Sequence, residues 1–76
     1  MTRRFIIFSD MSEPYTVYIE NSVERSVRTL VLKGPNPMHV HKEAYMKSSK
    51  NEEIQSIEDS EGSTVFDLKR GFAKDY

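Results

Sequence analysis

Two short runs of β-forming residues open the chain, "RRFIIFSD" and "YTVYIE", separated by the linker "MSEP". Phe5 to Phe8 is apolar at every position, so as a strand it carries apolar side chains on both faces. In the second run Tyr15, Val17 and Ile19 share one face, and Thr16, Tyr18 and Glu20 share the other. Pro14 fixes its own φ and biases Glu13 towards extended backbone. The two runs with their short connection predict an N-terminal β-hairpin.

A chain of 76 residues has room for one domain, expected to span residues 1–76 with 73–76 fraying. At about 0.05–0.15 kcal/mol per residue its stability falls near 4–11 kcal/mol. It contains no cysteine, so disulfides, thiolate metal sites and a cysteine nucleophile are excluded. Such a domain depends on its apolar core, or on a partner that completes it.

The middle of the chain reads two ways. In "NSVERSVRTLVLKGPNP", Asn21 and Glu24 have capping-box spacing, Val23, Val27, Leu30 and Val31 form a helical stripe, and Gly34 with Pro35 supplies the stop. A helix over 22–33 is therefore expected. The rival is a strand over 27–33, since "VRTLVLK" suits a sheet and Leu32 points away from the helical stripe. "PNPMHVHKEAYMKSS" fits a short helix opened by Asn36 and Pro37 and, equally, an irregular segment. "SKNEEIQSIEDSEG" predicts a helix, with Ser49 and Glu52 as a capping box and Ile54 and Ile57 buried; its rival is a hairpin turning at "SEGS". "STVFDLKRGF" reads as a final strand. The resulting fold class is α+β: an N-terminal hairpin, one or two short helices and a C-terminal strand or hairpin. A small all-β barrel is the alternative.

Few functional classes fit this chain. The glycines Gly34, Gly62 and Gly71 are isolated, so no phosphate-binding loop or dinucleotide fingerprint can be written. No Gly-x-Ser-x-Gly elbow occurs. His39 and His41 would face one side of a strand, but on a helix they would stand about 200° apart. Two imidazoles without a thiolate make an incomplete zinc shell, so neither a metal nor any other cofactor is expected. The longest clean apolar run is Phe5 to Phe8, too short for a membrane span or a signal core, so no membrane association and a cytoplasmic location are expected.

The charge is uneven. Residues 1–50 carry eight Lys/Arg against five Asp/Glu, and residues 51–76 carry three against seven. If Phe5, Ile7, Tyr15, Val17 and Ile19 pack under helices, then Ile6, Phe8 and Tyr18 remain on the outer face. An uncovered apolar group of this kind marks a partner site. The competing reading is self-coverage by Phe66, Leu68, Phe72 and Tyr76. Interfaces concentrate their energy in aromatic and arginine anchors, which selects Ile6, Phe8, Tyr18, Arg25 and Arg28 as partner-binding residues.

The expected function is a non-enzymatic protein-binding module that modulates or inhibits a larger protein, of the type found among accessory proteins of mobile elements. The alternative is a nucleic-acid-binding accessory factor that uses arginines and aromatics on the hairpin and helix. A homodimer is a third arrangement.

Overall fold

The computed structural model describes residues 12–73. Among these residues, five antiparallel strands form one sheet: β1 (Glu13–Asn21), β2 (Ser26–Gly34), β3 (Glu52–Glu58), β4 (Thr64–Asp67) and β5 (Gly71–Phe72). Their spatial order is β2-β1-β3-β4-β5. Among the described residues one helix, α1 (Pro37–Lys47), carries the chain from β2 across the sheet to β3 and covers one face. The α+β class holds, with strands dominating. No helix among the described residues is long and apolar enough to cross a membrane.

β1 forms where the alternation predicts it. Tyr15, Val17 and Ile19 are buried, and Tyr18 lies half-buried on the opposite side. Its hairpin partner is β2, in an unbroken register from Glu13 opposite Gly34 to Asn21 opposite Ser26. The expected pairing of β1 with Phe5–Phe8 involves residues outside those described.

The helix expected over 22–33 is a strand instead. Its start signal is real but serves a different purpose. The Asn21 Oδ1 accepts from the backbone N–H groups of Val23 and Glu24, both at 2.9 Å, as a helix cap would. The chain makes a single turn, with Arg25 N–H donating to the Asn21 carbonyl at 2.8 Å. Arg25 then adopts φ 60°, and this left-handed step turns the chain back as β2. Leu30 and Leu32 lie beside the core, while Val27 and Val31 point away from it at 60% and 67% exposure. The period is two, as Leu32 required.

The helix expected over 49–62 is also absent; the rival hairpin forms. Ile54 and Ile57 are three apart, a spacing that mimics a helix face. A β-bulge at Gln55 produces it here, because Tyr18 pairs with Ser56 while Ile19 pairs with Ile54. The extra residue brings both isoleucines to the same side, and both are buried. The Ser49–Glu52 capping box survives in part, as Ser49 N–H donates to Glu52 Oε1 at 2.9 Å in the turn before β3. The turn into β4 is built on Asp59, whose Oδ1 accepts from Glu61 and Ser63 N–H, with Gly62 at φ 87°.

Of the two readings of residues 35–49, the helix forms, as α1. The Asn36 side chain accepts from His39 N–H at 2.8 Å, and Pro37 occupies the first turn. Its buried side is Pro37, Val40 and Ala44. Val40 and Ala44 complete a core with Tyr15, Val17, Ile19, Ile54, Ile57, Val65 and Phe66. A second bulge, between Ile57 and Glu58, lets the adjacent Val65 and Phe66 both be buried. At the end of the described chain, Ala73 N–H donates to the Val65 carbonyl at 2.9 Å; residues 74–76 lie outside the described residues.

Candidate functional site

Strand registers place each side chain on a face. The helix side carries the rows Leu30–Val17–Ile57–Phe66–Phe72 and Arg28–Ile19–Ile54. The outer side carries Val31–Thr16–Glu58–Thr64, then Thr29–Tyr18–Ser56–Asp67, then Val27–Glu20–Glu53. α1 contributes nothing to the outer side. That face is apolar and hydroxylated along β2 and acidic along β3 and β4. Glu20 stands directly opposite Glu53, a like-charge pairing that a sheet ordinarily avoids.

The sequence-selected residues do not form one cluster. Tyr18 lies on the outer face, where its hydroxyl donates to Glu58 Oε1 at 3.0 Å. That hydrogen bond, reinforced by the carboxylate's charge, raises the phenol pKa. Arg28 lies on the helix face and is engaged there. Its Nε donates to Glu52 Oε2 at 2.7 Å and its Nη2 to Glu52 Oε1 at 3.0 Å, a two-point grip. The Arg28 guanidinium and the Ser49 amide hold the Glu52 carboxyl down at about 2. Arg25 sits in the β1–β2 turn, so Arg25 and Arg28 do not share a helical face. Ile6 and Phe8 lie outside the described residues.

Self-coverage of the Tyr18 face by the C-terminal aromatics fails for Phe66 and Phe72. Both rings lie on the helix side, with centroids 4.7 and 5.5 Å from that of His41. Leu68 lines a cleft with His41 and Tyr45, and Tyr76 is outside the described residues. The exposed residues that sequence reasoning missed are Val27, Thr29 and Val31, mistaken in part for a buried helical stripe. The signal for them was the β-forming composition of "VRTLVLK" and the poor fit of Leu32 to a helical stripe.

The histidine question has a geometric answer. On α1, His39 is exposed and His41 packs against Phe66 and Phe72, so the two diverge. Burial lowers the His41 pKa and favours its neutral ring. Among the described residues, no group of three His, Cys, Asp or Glu side chains is placed to hold a metal ion. The cleft beside His41, about 450 Å³, is also lined by Tyr45, Lys50, Glu52 and Leu68. Glu52 is already engaged by Arg28.

Among the described residues, β2 is paired on one side only. It is a nine-residue edge strand. It has no proline, and its pairing with β1 has no bulge. Among the described residues no strand pairs with its far side. Of the devices that usually blunt such an edge it carries charge, at Arg28 and Lys33. No family model, curated protein or solved structure matches the chain.

Proposed function

We propose that this is a non-enzymatic protein-binding module that modulates or inhibits a larger protein by taking an extended segment of it onto the β2 edge. The observation that supports this is the long, regular edge, free of proline and bulge, with Val27 and Val31 exposed beside it. Strand addition draws affinity from backbone hydrogen bonds and specificity from alternate side chains. Val27 and Val31 supply apolar contact on the outer side, and the half-buried Leu30 and Leu32 supply it on the helix side. Tyr18 flanks this strip. Arg25, at the turn, offers a charge at one end of it. Arg28, held by Glu52, acts as a structural residue.

Nucleic acid is the weaker reading. The aromatic on the open face is surrounded by Glu20, Glu53, Glu58 and Asp67, which repel phosphate, and Arg28 faces the other way.

The test is affinity capture from lysate of the expressing cells, with and without nuclease, using the wild type and Val27→Asp/Val31→Asp. The substituted positions are exposed, so each change should cost the fold no more than about 0.5 kcal/mol. The expected result is a stoichiometric, nuclease-resistant protein whose activity changes on binding, and whose capture is lost in the variant. A nuclease-sensitive catch, or one the variant retains, overturns the proposal.

A further inference from the structure

Three rings meet at the end of the sheet away from β2. The His41 centroid, on α1, lies 4.7 Å from that of Phe66 on β4 and 5.5 Å from that of Phe72 on β5, and the two phenyl centroids are 4.8 Å apart. Phe66 is buried, and His41 and Phe72 are half-buried. β5 is the shortest strand among the described residues, at two residues. It is held to β4 by the pairs Phe66–Phe72 and Asp67–Gly71, and Ala73 N–H closes it onto the Val65 carbonyl. Gly71 has no side chain, so Phe72 alone packs β5 on the core. One of the two rings that Phe72 meets is titratable.

We propose that protonation of His41 releases β5 from the sheet and leaves β4 as a second open edge. The charged groups around the ring do not offset a charge on it. The cleft in which His41 stands is also lined by Tyr45, Lys50, Glu52 and Glu53. Lys50 repels an imidazolium, the Glu52 carboxylate is engaged by Arg28, and Glu53 belongs to the outer row. On the strands beneath, Asp67 is in the outer row, and Arg70 lines the same pocket as Phe66 and Phe72. On α1 itself Lys42 and Glu43 point about 100° and 200° away from His41. A phenyl face attracts a cation, but burial works against the charged ring, and the His41 pKa lies below its ordinary 6.5.

The sign follows from linkage. With β5 closed, the ring holds its proton less tightly than with β5 open. The stability of the closed form is therefore fully present above the ordinary histidine range. It falls as pH drops through that range and levels off below the pKa of the closed form. Opening stays local, because a two-residue strand at a sheet edge takes the least free energy to detach, whereas α1 is also held by Val40 and Ala44 in the core. The device is independent of the partner reading, since β1, β3 and β4 separate β5 from β2.

The test is proton NMR and amide hydrogen exchange on the full-length chain between about pH 7.5 and 5.5, a window above the carboxylate range. His39 is exposed and serves as the internal reference. The expected result is that His41 titrates below His39. Exchange of the Ala73 amide, corrected for its intrinsic rate, should speed up on acidification, while amides bonded between β1 and β2 stay protected. The opening constant should grow about tenfold for each pH unit by which His41 titrates below the reference. His41→Phe keeps a ring without the proton and should hold Ala73 protection constant across the window; His39→Asn should leave the acid response in place. The wild-type titration decides the question whether or not His41→Phe folds. A His41 pKa at or above that of His39 overturns the proposal, as does Ala73 protection that does not change with pH in the wild type. Simultaneous loss of protection in every strand overturns it in favour of global unfolding. An acid response that survives in folded His41→Phe overturns it by assigning the trigger to another group.

Discussion

Ile54 and Ile57 test the packing of β3 with a paired substitution. In a regular strand, residues three apart face opposite ways, so only one could be costly to truncate. The bulge at Gln55 buries both, at 5% and 0% exposure. Ile→Ala removes three carbons, worth about 2.4 kcal/mol in transfer alone at about 0.8 kcal/mol per methylene. Ile57 lies between Val17 and Phe66 in its row, and Ile54 neighbours Ile19, so collapse around either site is restricted. With the cavity term, each variant should lose about 2–5 kcal/mol. Against a total near 4–11 kcal/mol, either removes a large share and the double variant should not fold. Urea denaturation with a slope near 1 kcal/mol per molar would show the midpoint falling by about 2 M or more, at unchanged slope. Ser56→Ala, on the outer face, should stay within about 0.5 kcal/mol. If either isoleucine variant also stays within that margin, β3 has no bulge and the two faces are misassigned.

The Arg28–Glu52 pair predicts acid sensitivity. The Glu52 carboxyl is depressed to about 2 in the fold, so its contribution is fully present above the ordinary carboxylate range. It is lost as pH falls from that range through about 2. Glu52→Gln should flatten that part of a Tm-against-pH curve; an unchanged curve would remove the pair from the account. Gly34 sits where α1 approaches β2, and an added Cβ would lie 2.9 Å from both His39 Cδ2 and Val40 Cγ2. Val40 is fully buried and has no room to yield, so Gly34→Ala should destabilise by about 1–3 kcal/mol. A neutral result in thermal denaturation would mean that α1 is not held so close.

Legibility along the chain followed the clarity of the local signal. Strict alternation in "YTVYIE" has one physical interpretation, and β1 forms there; the Asn36–Pro37 opening fits a helix or an irregular segment equally, and packing of Val40 and Ala44 on the sheet selects the helix. Asn21 and Ser49 misled because cap-type hydrogen bonds form equally well in a tight turn; nothing local says that the next residue will be Arg25 in a left-handed conformation. Ile54 and Ile57 misled because a bulge adds one residue to a period of two and produces a spacing of three. Both errors placed helices on what are strands. The same errors hid the exposed row on β2, since Val27 and Val31 count as buried on a helix that does not exist. Tyr18 was assigned to its proper face, but the sequence could not show that Glu52, on the far side of β1 from Arg28, would engage that arginine's guanidinium.

The account rests on β2 as the binding element, and backbone amide hydrogen exchange, measured free and in complex with the captured partner, tests it most directly. In an edge strand alternate amides point away from the sheet. The account predicts that the outward amides between Val27 and Lys33 exchange rapidly in the free protein and slow markedly in the complex. Amides of α1 should be little changed, and the alternate β2 amides that bond to β1 should be protected in both states. Protection confined to α1 or the cleft beside His41, with the outward β2 amides unchanged, would contradict it.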